Sequence, residues 1–146
     1  MQTLQGKTVI PGSAEGPALV TRQPINFTAS FSKPINLIPS RRSQITDRHH
    51  ELCGKLIRDK ILVFPAAIGS TYTGMMLLEL MFKGQAPKAL VVQCADSLLV
   101  SGSILANAWF NCGTPIIECA RDDLFDIISP NSSVRINGEA GYIIIP

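Results

Sequence analysis

The middle of the chain alternates short, wholly apolar runs with longer segments in which apolar residues recur at helical spacing. Two of the runs, Ile61–Phe64 and Ala89–Val92, are typical of strands buried on both faces of a sheet. Each precedes a predicted helix, over residues 73–83 and 98–111, and a third strand is predicted at 116–119. Because strands joined by helices of this length run parallel with right-handed crossovers, the pattern predicts a β-α-β-α-β unit.

Both ends of the chain show the punctuated pattern of short β-strands. Near the N-terminus, apolar stretches at 8–10, 18–21 and 25–27 are separated by Gly and Pro, and we expect each to be a strand. At the C-terminus, two apolar stretches flank Asn137-Gly138, which favours a β-hairpin. Residues 30–43 have no period, which predicts a long loop, a feature that is often functional.

These elements predict a single α/β domain over residues 1–146, in which a barrel-like β portion surrounds a short parallel sheet with two main helices. The composition predicts a surface that is buried against a partner. Of the residues, 46% are hydrophobic and 16% are charged, whereas an average domain has about 25% charged residues. The longest apolar run, 75–81, includes Glu79 and is far below the roughly 18 residues of a membrane span. We therefore expect no membrane association.

The distribution of charge and the N-terminal residues argue against a nucleic-acid-binding protein and a secreted protein. The net charge is +2, and only Arg41, Arg42 and Arg48 lie near one another, so no broad basic face for nucleic acid is predicted. That cluster suits a small anion or a solvated loop. Residues 1–7 lack the basic and apolar parts of a secretory signal, and we expect a cytoplasmic location.

The four cysteines give no sign of a metal site built by this chain alone. They form no C-x-x-C pair and have no histidine at zinc spacing. Free cysteines in apolar stretches usually serve as small core residues.

Ser70 is the first candidate for chemistry. It follows the predicted strand 61–64 and Gly69, and it precedes the helix from Thr73, which is where ligands bind in open α/β sheets. Free N–H groups from Ser70 to Thr73 would favour a carboxylate or phosphate. On spacing alone, the favoured interpretation is simple helix capping by Ser70 or Thr71.

Asp47-Arg48-His49-His50 is the second candidate. It places an acid, a guanidinium and two imidazoles within four residues, which suits anion binding and proton transfer. A salt-bridged turn explains the same spacing. A phosphohistidine carrier using His49 or His50 is a further alternative, although neither residue precedes an evident helix.

In these two segments and elsewhere the chain resembles the small subunit, or C-terminal domain, of aconitase X. The matching residues occur in the family's order over most of the chain. They are Gly12-Ser13-Ala14-Glu15-Gly16 with Ala18-Leu19-Val20, Asp47-Arg48-His49-His50 with Gly54, Lys60-Ile61-Leu62-Val63 with Pro65, Gly69-Ser70-Thr71, Gly84, Ala86-Pro87, Gly102, Ala106, Gly113 and Pro115.

The resemblance implies a swivelling β/α/β domain that pairs with a large subunit carrying an iron–sulfur cluster, with the active site between the two. It implies dehydration of a small hydroxy acid, of the phosphomevalonate or cis-3-hydroxyproline class, with Ser70 as catalytic base. We expect Gly69, Thr71, Arg48, Asp47 and His50 to bind substrate.

The chain departs from the family at two places. Residues 27–31 lack the paired glycines and the aspartate that are usual there, and Ala67 replaces a glycine. The divergent segment, 28–43, leaves substrate specificity open. It also favours an alternative interpretation, a non-catalytic binding or regulatory barrel that kept the fold.

Overall fold

The computed structural model describes residues 1–146 and contains one eight-stranded sheet with four α-helices. The strands are β1 (Gln2–Gln5), β2 (Lys7–Ile10), β3 (Ser13–Val20), β4 (Ile61–Phe64), β5 (Ala89–Val92), β6 (Ile116–Glu118), β7 (Ser133–Asn137) and β8 (Tyr142–Ile145). The helices are α1 (Phe27–Phe31), α2 (Thr73–Phe82), α3 (Ser97–Phe110) and α4 (Leu124–Ile127), and 3-10 turns lie at Pro34–Leu37 and Pro39–Arg41.

The sheet curls into a nearly closed barrel. Its strand order is β1-β8-β7-β3-β4-β5-β6-β2, with β3 to β6 parallel and the remaining neighbours antiparallel. The edge strands β1 and β2 are consecutive in the chain, and the N–H of Gly6 between them donates to the Gly141 carbonyl at 2.8 Å. The two edges of the sheet are therefore held close to each other.

Two hydrophobic cores cover the two faces of the parallel strands. Leu62 and Phe64 of β4 pack in the core under α1, α2 and α3. Ile61 and Val63, which alternate with them, pack inside the barrel with residues of α4, β7 and β8. Because both faces are buried, the strands are apolar at every position, which is the pattern visible in the sequence.

The predicted fold class is confirmed, together with the central β-α-β-α-β unit. The expected strand at 25–27 is wrong. Ile25 makes a single parallel bridge with Ala67, and α1 then begins at Phe27 because the Asn26 side chain accepts the Ala29 N–H at 3.0 Å. An N-cap of this kind starts a helix even where the side chains suit a strand.

The segment 30–43 and the C-terminal hairpin also differ in detail from expectation. The segment includes the end of α1 and both 3-10 turns, which start at prolines that suit the first helical position. The hairpin is present, but its connection spans 138–141, and the left-handed residue is Gly141, at φ 77°, rather than Gly138.

Candidate active site

The carboxyl ends of β3 and β4 form one edge on which the candidate residues lie. The connector after β3, residues 21–25, pairs with the loop after β4, which we call the Ser70 loop (residues 65–72). The Ile25 N–H donates to the Ala66 carbonyl at 3.1 Å, and the Ile68 N–H donates to the Ile25 carbonyl at 3.0 Å. These bonds fix the start of the Ser70 loop against its neighbour, at the edge where α/β sheets bind ligands.

Gly69 gives the Ser70 loop its shape. Its φ is +96°, and a Cβ there would overlap the side-chain amide of Asn26. A side chain is therefore disfavoured by backbone strain and by contact with Asn26. The Asn26 Nδ2 makes no hydrogen bond within the chain, so this amide is a donor beside the loop that the sequence analysis missed. The signal was present, since Asn before an apolar stretch is a common N-cap.

The Ser70 hydroxyl is half-buried and organises the turn before α2. Its Oγ accepts the Tyr72 N–H at 3.0 Å, and its carbonyl accepts the Thr73 hydroxyl at 2.8 Å. The N-cap of α2 is Tyr72, which makes no side-chain capping bond. Ser70 thus stabilises the turn that leads into the helix and does not occupy the N-cap position itself.

Unpaired backbone donors surround the Ser70 hydroxyl. The N–H groups of Gly69, Ser70 and Thr71 have no acceptor within the chain, and neither have those of Gly74 and Met75 in the first turn of α2. The first turn of a helix carries partial positive charge. The loop and the helix start together therefore present a local environment that suits a carboxylate or phosphate.

The turn at residues 47–51 is attached to the same connector as the Ser70 loop. The Glu51 N–H donates to Oε1 of Gln23 at 2.9 Å, and the Nε2 of His50 lies 3.4 Å from the Gln23 carbonyl. Thr21, at the start of the connector, donates its hydroxyl to the Glu51 carboxylate. Both candidate segments are thus held by residues 21–25.

Most polar groups of this turn are used within the chain. His50 is 7% exposed, and its Nδ1 accepts the Leu52 N–H at 3.0 Å, which assigns the proton to Nε2 facing Gln23. The Asp47 carboxylate accepts the His49 N–H at 3.0 Å. Arg48 and His49 are exposed, and the Arg48 guanidinium makes no bond within the chain. Arg48 is consequently the cation of this turn that is free to meet a ligand.

Other ionisable groups near this edge form ordinary surface pairs. Beyond β6, the hydrogen bond and charge of Arg121 hold the pKa of Asp123 below its usual value, while Asp123 raises the pKa of Arg121.

The structure contains neither a metal-binding cluster of side chains nor a candidate membrane span. No group of three or more His, Cys, Asp and Glu residues is arranged to hold a metal ion. None of the helices combines the length and the apolar character that a membrane span requires.

An apolar groove starts beside the Ser70 loop and runs between α2 and α3. Its volume is about 470 Å³. Tyr72 is 60% exposed and Trp109 is 62% exposed, and contiguous exposed apolar side chains of this kind often mark an interaction surface. The groove is lined by Thr28, Tyr72, Met75, Met76, Leu78, Glu79, Phe82, Trp109 and Phe110.

Comparison with known proteins gives one consistent family. A family model described as the aconitase X swivel domain matches residues 3–145. The phosphomevalonate dehydratase small subunits of Pyrococcus furiosus and Methanosarcina mazei are 30% and 29% identical, over 97% and 95% of this chain and 94% and 88% of theirs. The cis-3-hydroxy-L-proline dehydratase of Hypocrea jecorina is 28% identical over 92% of this chain, which corresponds to 21% of that protein.

Solved structures agree with the sequence matches. The crystal structure of Thermococcus kodakaraensis aconitase X in its holo-form superposes with a TM-score of 0.83 at 27% identity, covering 100% of this chain and 99% of that one. The solution structure of a UPF0107 protein gives a TM-score of 0.82 at 25% identity, with 99% of each chain covered.

Proposed function

The chain belongs to the aconitase X swivel domain family, and from this we propose that it is the small subunit of a dehydratase acting on a small hydroxy acid. Relatives that match almost the whole chain are named as phosphomevalonate dehydratase small subunits, and a longer protein that contains a matching region is named as a cis-3-hydroxy-L-proline dehydratase. These names support a substrate of the phosphomevalonate or hydroxyproline class. A cytoplasmic location stays a prediction.

The observation that carries the proposal is the Ser70 hydroxyl, which lies among unpaired backbone donors. In the dehydration of a hydroxy acid, a base removes the proton from the carbon next to the carboxylate, and the hydroxyl leaves from the neighbouring carbon. We assign the base to Ser70. The free N–H groups of Gly69 and Thr71 and the start of α2 would hold the substrate carboxylate.

A serine hydroxyl is a weak base at neutral pH unless its alkoxide is stabilised. The Tyr72 N–H already donates to the Ser70 Oγ, and a hydrogen bond of this kind strengthens when the oxygen becomes negative. The free Arg48 guanidinium, in the turn held by the same connector, would supply positive charge. Capping and catalysis are therefore compatible roles for the Ser70 oxygen.

The iron–sulfur cluster would be carried by a large partner subunit. The residues of this chain do not fit a cluster site, since no three metal-binding side chains come together and Cys53 and Cys94 are exposed singly. The apolar groove suits that partner. It begins at Tyr72, two residues after Ser70, so a subunit seated in the groove would extend to the Ser70 loop and enclose the substrate.

Anaerobic co-expression with the product of the neighbouring gene, if it encodes a large cysteine-containing chain, tests the proposal. The proposal predicts a brown complex that dehydrates phosphomevalonate or a hydroxyproline. The Trp109→Asp variant places a charge in the apolar groove and should lose the partner while keeping its own fold, and Glu139→Asp, an exposed change in the β7–β8 connection, is the control. A chain that pairs with nothing and turns over nothing would favour the non-catalytic barrel.

A further inference from the structure

A second cavity, separate from the Ser70 loop, lies between α2 and the divergent segment. We call it the cationic cleft. Its volume is about 360 Å³, within the range of sites for small organic molecules. It is lined by Phe31, Ser32, Lys33, Pro34, Asn36, Leu37, Arg42, Met76, Glu79, Leu80 and Lys83.

The charges of the cleft do not cancel. Three cations, Lys33, Arg42 and Lys83, face one carboxylate, Glu79, which leaves a formal charge of +2. Lys83 and Glu79 pair with each other at 2.5 Å, and the Lys33 ammonium donates to the carbonyl of Thr46.

Arg42 is the exception among these cations. Its side chain makes no ion pair and no hydrogen bond within the chain, although the residue is half-buried. The Arg42 guanidinium is therefore available to a ligand. A carboxylate or phosphate would accept two parallel hydrogen bonds from it.

The wall that carries Arg42 is held in place by one buried side chain. Asn36 is 7% exposed. Its Nδ2 donates to the carbonyls of Arg41 and Gln44, both at 3.0 Å, and its Oδ1 accepts the Lys33 N–H and the Thr46 hydroxyl, both at 3.3 Å. The Nδ2 of Asn36 also lies 3.5 Å from the Arg42 carbonyl, so one side chain holds the backbone of both Lys33 and Arg42. Binding of a ligand would therefore order little additional chain.

The cleft is distinct from the proposed active site. No residue of the Ser70 loop lines it. Along α2, Glu79 and Lys83 lie about 9 and 15 Å from the first helical residue at the usual rise of an α-helix. Met76 marks the part of the cleft that lies nearest to the donors at the start of α2.

We propose that the cationic cleft binds a small organic anion, with its carboxylate or phosphate on Arg42 and Lys33 and a short apolar part against Phe31, Met76 and Leu80. This binding site goes beyond the proposed dehydratase function and does not depend on it. One of its walls is the divergent segment 28–43, and the other is α2.

Titration of the ¹⁵N-labelled chain with isovalerate, and separately with inorganic phosphate, tests the site. We expect saturable shifts of the amides of residues 31–42 and 76–83. Stronger binding of isovalerate identifies a carboxylate with an apolar tail, and stronger binding of phosphate identifies a phosphorylated ligand. Shifts restricted to the Ser70 loop, or no saturable shift with either anion, would overturn the proposal.

The variants Arg42→Gln and Arg41→Gln form a matched pair. Arg41 is adjacent and exposed but does not line the cleft. Arg42→Gln should weaken binding by about tenfold or more, as expected for the loss of a charge-assisted pair, while Arg41→Gln leaves it unchanged. Lys33→Gln provides a second test if Arg42→Gln does not give a folded spectrum. Equal binding by Arg41→Gln, Arg42→Gln and Lys33→Gln would contradict the assignment.

Discussion

The Ser70 loop and the turn at residues 47–51 lie on the same edge of the sheet, yet they differ in which polar groups remain free. In the turn, His50 uses both ring nitrogens and Asp47 accepts a backbone N–H. In the Ser70 loop, three successive backbone N–H groups have no acceptor. The turn has the richer set of side chains, whereas the loop combines three successive free N–H groups with the start of a helix.

A structural region and a binding region thus differ in whether their polar groups are paired within the chain. Buried polar groups that are paired within the chain stabilise the fold and are lost to a ligand. Exposed and unpaired donors remain available to a ligand. Substitution of a paired group such as the His50 ring should therefore lower folding stability, whereas substitution of a free group such as the Arg48 guanidinium should lower turnover.

His50→Ala should have the largest effect on stability. It leaves the Leu52 N–H without its acceptor and empties a buried position, and we expect a loss of about 2–4 kcal/mol in the free energy of unfolding. Urea denaturation of the isolated chain measures it. His49→Ala is the matched control, because His49 is exposed, and should change stability by no more than about 0.5 kcal/mol. Equal losses of unfolding free energy in the two variants would contradict a structural role for His50.

Gly69→Ala should come next, at about 2–3 kcal/mol, because it combines a positive φ with contact against Asn26. Gly84→Ala separates the two causes. Gly84 has φ +68° and no atom within 4 Å of the position that a Cβ would occupy, so only the backbone cost of about 1 kcal/mol remains. Thermal denaturation compares the pair. If both variants lose the same stability, the contact with Asn26 does not constrain the loop.

Arg48→Gln should have the smallest effect on stability, within about 0.5 kcal/mol, since the exposed guanidinium makes no contact in the chain. In the assembled enzyme it should raise KM by about tenfold through the lost charge-assisted pair, and Arg48→Lys should restore part of that loss. Steady-state dehydration kinetics provide the measurement. An unchanged KM and kcat would place Arg48 outside the substrate site.

The sequence was sufficient for the elements with strong periodicity. The wholly apolar runs at Ile61–Phe64 and Ala89–Val92 specified strands buried on both faces, and their bounds agree with the structure. The stretch 25–27 was misassigned because its side chains suit a strand, whereas the conformation there is decided by the Asn26 cap. Local capping and the apolar pattern compete in deciding the backbone conformation, and the pattern alone does not show which of the two prevails.

The candidate site was less predictable, because it depends on contacts between distant segments. Asp47-Arg48-His49-His50 was visible as a set of chemical groups, but the burial of His50 depends on Gln23, 27 residues earlier. The role of Asn26 beside Gly69 depends on the pairing of Ile25 with Ala67. Neither relation has a signal in local spacing. The cationic cleft was only partly predictable: Arg42 belongs to the basic cluster in the sequence, but α2 supplies one of the walls of the cleft.

Turnover of the Ser70→Ala variant in the assembled enzyme tests the central claim most directly. The variant should still pair with the large subunit and lose only about 0.5–2 kcal/mol of stability with the bond to Tyr72, while dehydration falls by about 10²–10⁴-fold. Ser132→Ala is the control, because it also removes one side-chain bond to the backbone, that to the Ser129 carbonyl at 2.6 Å, but lies outside the Ser70 loop. Normal turnover by Ser70→Ala would contradict the account and leave Ser70 as a turn-stabilising residue alone.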